Sequence, residues 1–128
     1  MVTDIQRDKE VVVGFLRSAF TEKRPADAFA KCVGDDYVQH NPHAPARTDA
    51  SAEYLAGFVD RFPDLSLEVH RVVAEDDLVC THSLLRLTSG SRGSAIADVM
   101  RVRDGRIVEH WDVVQEIPES TVSGNPMV

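Results

Sequence analysis

A chain of 128 residues is the length of one domain, enough to bury a core and to enclose a cavity. Its net charge of −7 argues against nucleic-acid binding, because proteins that grip a phosphate backbone present a basic face. No stretch approaches the roughly 18 apolar residues of a membrane span, and no apolar run precedes a small-residue cleavage site, so a cytoplasmic protein is expected. Cys32 and Cys80 lie in apolar periodic segments without CxxC spacing, which predicts free buried thiols rather than a disulfide.

Thr3 and Gln6 have capping-box spacing, and apolar side chains at 12, 15, 16, 19 and 20 form one helical face, predicting a first helix from about Asp4 to Thr21. Pro25 suits the first turn of a second helix whose buried stripe is Ala28, Phe29, Cys32 and Val33, with Gly34 ending it. A short strand is expected over Asp35 to His40, and Asn41-Pro42-His43-Ala44-Pro45 must be a loop because proline restricts itself and its predecessor. Asp49 is placed to cap a third helix with Leu55, Phe58, Val59 and Phe62 on its inner face, stopped by Pro63. Beyond Pro63 the period changes from helical to alternating: Leu65, Leu67 and Val69, a turn at Asp76-Asp77, a strand from Leu78 to Thr88, then a polar turn over Ser89 to Gly93. The order of elements predicts an α+β fold of one domain over residues 1–117, with three N-terminal helices packed on a curved antiparallel sheet around a cone-shaped pocket. Residues 118–128 have no period and read as a C-terminal tail.

The last two strands, Ile96 to Gln115, hold polar residues where a core strand would carry Val or Ile. Which of them share a face depends on the turn at Asp104-Gly105, since a one-residue slip exchanges the faces of a strand. A two-residue type I′ turn pairs Arg103 with Arg106 and sets Asp98 opposite Trp111. A three-residue loop with Gly105 as the left-handed bulge residue pairs Asp98 with His110 and Ile96 with Asp112, and this is the preferred register. It gathers Ile96, Asp98, Met100, Val108, His110, Asp112 and Val114 on one face, and leaves Val99, Ile107, Trp111 and Val113 on the other, where they suit a homodimer interface.

Two carboxylates enclosed with apolar residues disfavour double ionisation, which leaves a neutral acid beside a carboxylate base. Asp98 and Asp112 are therefore candidate catalytic residues for abstraction of a proton α to a carbonyl: Asp112, or His40 at the rim of the proline-bounded loop, takes the proton, Asp98 donates to the oxyanion, and His110 tunes the pair. The bland alternative is that each carboxylate accepts hydrogen bonds from a nearby His, Arg or backbone amide and does no chemistry. Met100, Ile96, Val114, Tyr37, Phe58 and an inward-facing His82 are the expected pocket wall, while His43 and His70 are expected in solvent. His40 and His43 straddle Pro42 with no helix to align them, so no metal is expected. No GxSxG elbow and no glycine-rich phosphate loop is present, and no cofactor is expected.

Tyr37-Val38-Gln39-His40-Asn41-Pro42, Phe62-Pro63-Asp64, His70 to Glu75, Asp98-Val99-Met100-Arg101 and Asp104 to Trp111 together resemble the SnoaL-like polyketide cyclases. These belong to the superfamily of nuclear-transport-factor-like folds, which also contains ketosteroid isomerase. The resemblance spans nearly the whole chain and identifies the fold better than the reaction. By it, Asp112 matches the last-strand aspartate that serves SnoaL-type cyclases as general acid/base, and Asp98 stands where they carry a histidine. Asp98 also matches the protonated aspartic acid of ketosteroid isomerases, whose general base and helix 1 tyrosine are not kept at His40 or Asn41 and at Phe15 or Leu16. The resemblance implies a cyclase or isomerase acting on a largely apolar carbonyl compound such as a polyketide. A non-catalytic protein that binds a small hydrophobic ligand, or a dimerising partner of the same fold, is the alternative.

Overall fold

The computed structural model describes residues 4–128. Its elements are α1 (Asp4–Leu16), which continues as one π-helical turn over Arg17–Thr21, then α2 (Pro25–Cys32), β1 (Val33–Gln39), α3 (Thr48–Arg61), β2 (Ser66–Glu75), β3 (Leu78–Arg86), β4 (Ser94–Arg103) and β5 (Arg106–Glu116). The expected α+β class and helix count hold. The five strands form one sheet in the order β1-β5-β4-β3-β2, antiparallel except that β1 runs parallel to β5. No helix among the described residues is long and apolar enough to cross a membrane.

An isolated 13-residue helix such as α1 is marginal in water, so packing must hold it. Val12, Phe15, Leu16 and Ala19 supply that packing, meeting Ala28 and Phe29 of α2 and the sheet residues Val79, Met100, Val102 and Ile107 in one core. The rings of Phe15 and Phe29 meet edge to face at 5.2 Å, and Phe29 meets Tyr37 at 6.1 Å. Thr3, the expected cap of α1, lies outside the described residues. Cys32 and Cys80 are free thiols, and burial raises the pKa of both.

Two expected helix boundaries shift. Val33 is already extended, so Gly34 lies inside β1 and does not terminate α2. Helix α3 begins at Thr48, whose hydroxyl donates to the Gly34 carbonyl at 2.8 Å, and Asp49 falls within the first turn. At the other end Phe62 leaves helical geometry, as the residue before Pro63 must.

The β4–β5 hairpin corrects the expected register. Asp104 (φ 51°) and Gly105 (φ 75°) are both left-handed and Arg103 pairs with Arg106, which makes the two-residue turn. Val102 then pairs with Ile107 but Arg101 pairs with Glu109, so Val108 is a bulge. The extra residue restores the face parity that the tight turn alone would have reversed. Asp98 therefore lies opposite Asp112 rather than His110 or Trp111, and Ile96 lies opposite Val114. The grouping of Ile96, Asp98, Met100, His110, Asp112 and Val114 survives. Ile107 changes sides: it is 1% exposed in the core, not on the outer face.

Candidate active site

The helix-facing side of the sheet encloses a cavity of about 340 Å³. Its walls include Phe15, Phe29, Tyr37 and Phe58, with Ile96, Met100 and Val114 beside Asp98, His110 and Asp112 on β4 and β5. Asp98 is 7% exposed, and its Oδ1 lies 2.8 Å from His110 Nε2. On the far side of the ring, His110 Nδ1 lies 2.8 Å from Gln39 Oε1.

The identity of that Gln39 atom is fixed by its other partners. The Asn41 backbone N–H donates to Oε1 at 3.0 Å, while Nε2 donates to the Tyr37 hydroxyl at 2.7 Å. His110 Nδ1 faces an acceptor and must carry a hydrogen. One further proton lies on the line between Nε2 and Asp98 Oδ1, whichever atom holds it. Asp98 Oδ2 accepts no hydrogen bond among the described residues and belongs to a side chain on the cavity wall.

Asp112 is held differently. The Asn41 side-chain amide donates to both its oxygens, at 2.9 and 2.7 Å, and its Oδ2 lies 3.9 Å from His110 Nε2. Asn41 Oδ1 accepts in turn from the His43 backbone N–H at 2.8 Å, which ties the loop to the site. Burial pushes the Tyr37 phenol far above its usual range, with Asp98 and Asp112 adding to the shift, so it stays an O–H donor at any physiological pH.

A model of the SnoaL-like domain matches residues 12–110 of this chain. The chain belongs to that family. Solved structures agree in fold. TsrD from Streptomyces laurentii is 21% identical at a TM-score of 0.72, covering 88% of this chain and 90% of that one. A candidate polyketide cyclase from Acidithiobacillus ferrooxidans is 19% identical at 0.72, covering 88% and 91%. A loop-truncated IdmH is 26% identical at 0.67, covering 84% and 91%. No curated protein sequence matches.

In this SnoaL-like domain Asp98, Asp112, His110, Tyr37, Phe58, Ile96, Met100 and Val114 all border one cavity. Two expected members do not. His40 stacks flat on Trp111 at 4.8 Å between ring centroids and reaches Glu109 Oε2 at 2.8 Å, so it occupies the outer face of the sheet. Strand alternation is the reason: if Tyr37 and Gln39 point inward, His40 between Gln39 and Asn41 points out. His82 pairs with Ala97 and meets Arg71, while its neighbours Thr81 and Ser83, opposite Asp98 and Ile96, take the inner face. His43 is exposed as expected, yet it borders the cavity mouth.

Sequence reasoning missed Gln39 and Asn41, although the i, i+2, i+4 spacing of Tyr37, Gln39 and Asn41 was the available signal. Oxygen and nitrogen donors of Asp98, His110 and Asp112 lie within 4.8 Å of one another, a spacing that suits a divalent cation, which would have to replace the proton on the Asp98–His110 line.

Gln39 acts as a positioning residue for His110. Gln39→Leu is expected to lower kcat by roughly a hundredfold with little change in KM, while Gln39→Glu, which keeps an acceptor at Nδ1 but loses the donor to the Tyr37 hydroxyl, recovers part of it. Steady-state kinetics of the two variants checks this. Equal losses in both would show that the residue only fills space.

Proposed function

We propose that this chain is a cofactor-independent acid/base enzyme of cyclase or isomerase type, acting on a small, largely apolar carbonyl compound such as a polyketide. The observation that carries the reading is Asp98 Oδ2, without a hydrogen-bond partner among the described residues, in a largely apolar cavity, with the rest of that carboxyl engaged by a histidine of fixed orientation. Wherever the shared proton resides, Oδ2 is an acceptor. That exchanges the roles expected from sequence, in which Asp112 or His40 took the proton and Asp98 donated one.

With the shared proton on His110 Nε2, Asp98 is a carboxylate: the substrate C–H proton α to the carbonyl passes to its Oδ2, and the C–H electron pair moves onto the carbonyl oxygen. The Tyr37 hydroxyl, which meets the Ser51 hydroxyl and accepts from Gln39, turns its own hydrogen to that oxygen. Asp98 then returns the proton, to the γ carbon in an isomerisation or to the new alkoxide when the enolate carbon closes on a second carbonyl. Atoms and electrons balance without an oxidant or a cofactor. Asp112, braced by Asn41, keeps a negative charge beside the His110 ring.

Exchange of α protons into D2O tests this without the natural substrate. Cyclic ketones and β-diketones that raise the Tm of the protein are expected to exchange faster than in buffer, as read by proton NMR. Ligands that bind with no acceleration would make the chain a binding protein instead.

The sheet face turned away from the helices supports a second part of the proposal, a homodimer. Val113 is 72% exposed there, in line with Trp111, and Val99 pairs with Trp111 across β4 and β5. Sedimentation at micromolar concentration is expected to give twice the monomer mass, and a Val113→Lys variant the monomer. Monomer alone in the native protein would remove this part.

A further inference from the structure

The cavity has an unusual charge balance. Among its lining residues there are two carboxylates, Asp98 and Asp112, and two histidines, but no lysine or arginine. The arginines nearest in sequence are committed elsewhere: Arg101 holds Asp77 and Glu109, and Arg86 the Ser91 carbonyl. The one further proton on the Asp98–His110 line cancels the charge of one carboxyl, so Asp98, His110 and Asp112 together keep one net negative charge. Asp98 is also more than nine-tenths buried, and its Oδ2, on the cavity wall, has no hydrogen-bond partner among the described residues, so the polar end of the cavity offers an acceptor to a donor. The upward push that both aspartates give the Tyr37 phenol has the same origin, a negative potential at this end.

We propose that the cavity binds lipophilic amines in their protonated form, the ammonium group donating to Asp98 Oδ2 and Asp112 and the apolar body lying along the aromatic wall, and that it excludes the matching carboxylates. Ammonium supplies the hydrogens that Oδ2 lacks, and a carboxylate oxygen can accept from it while keeping the bonds of Asp112 to Asn41. A carboxylate in the same place meets the net negative charge of the Asp98, His110 and Asp112 group a few ångströms away, in a low-dielectric site with no lysine or arginine among its lining residues. Such amines would compete with the carbonyl substrate. The proposal rests on this cavity being the ligand site of the proposed function, but it does not need turnover.

The test is calorimetric titration at pH 7 with three molecules on one skeleton: 1-naphthylmethylamine, 1-naphthalenemethanol and 1-naphthoic acid. The amine is expected to bind at least tenfold more tightly than the alcohol, and the acid at least a hundredfold more weakly than the amine. Asp112→Asn should bring the amine to within about threefold of the alcohol, and retained alcohol binding reports that the variant is folded. The proposal is overturned if the acid binds as well as the alcohol, if the amine has no advantage, or if the amine does not bind. Amine binding in a protein that exchanges no α protons would sink the catalytic reading and leave this one standing.

Discussion

Asp98→Asn is expected to slow α-proton exchange by about a thousandfold or more, toward the upper end of what a positioned general base contributes. The asparagine is the same shape, and its amide N–H can donate to His110 Nε2, so the fold and the cavity wall are kept. What disappears is a carboxylate able to take up a proton. Ligand affinity for a neutral ketone should change by no more than about threefold, because the contact removed forms mainly as the proton moves. Asp112→Asn should do less, on the order of tenfold to a hundredfold, since the 3.9 Å separation from Nε2 makes Asp112 an electrostatic neighbour of the dyad and not a member of it. The ranking is the decisive measurement. If Asp112→Asn is the more damaging change, the base is Asp112, and the role implied by likeness to the cyclases is the right one.

That ranking differs from the sequence expectation for a reason that is visible in β1. The hairpin strands announce themselves locally: Asp98, His110 and Asp112 interrupt apolar runs, and parity alone groups them. The bulge at Val108 left no such mark, yet because it offset the tight turn the grouping came through two compensating departures. Gln39 and Asn41 reach the site only through the parallel pairing of β1 with β5, between segments about 70 residues apart, and local periodicity does not report such a pairing. Without the Asn41 N–H on Oε1 the histidine tautomer is open, and with it the choice of base.

His82 misled for the opposite reason. Cys80 and Leu84 look like the inner face of β3, but they lie on the outer side, where Cys80 and His82 are half-buried, while the polar Thr81 and Ser83 are fully buried on the inner side. With Thr and Ser inward and Cys and Leu outward, apolar-polar alternation points to the wrong face. Composition and element order carried the fold class well, because three helices followed by long alternating strands have few ways to bury their faces.

The largest expected effect on stability lies away from the dyad, at the turn that starts β4. Gly93 has φ +81°, and a Cβ there would lie 2.4 Å from the Leu85 carbonyl oxygen and 3.0 Å from Arg86 Cγ. The Leu85 backbone cannot retreat, because it pairs with Ser94 across β3 and β4, and the Gly93 carbonyl accepts from the Ile117 N–H at 3.0 Å. Gly93→Ala is therefore expected to cost about 3 kcal/mol or more, from left-handed strain together with a backbone clash. Gly105→Ala is the control. Its φ of +75° imposes similar strain, but nothing lies within 4 Å of the added methyl, so about 1 kcal/mol is expected. Thermal unfolding should lower the Tm by roughly 10 °C for the first and by roughly 4 °C for the second. Leu85 and Ser94 both line the cavity, so any relaxation that makes room at Gly93 displaces its wall, and ligand affinity should fall in Gly93→Ala but not in Gly105→Ala. Equal shifts in Tm would mean that backbone conformation alone requires glycine at both turns, and that Leu85 has more freedom than its pairing with Ser94 implies.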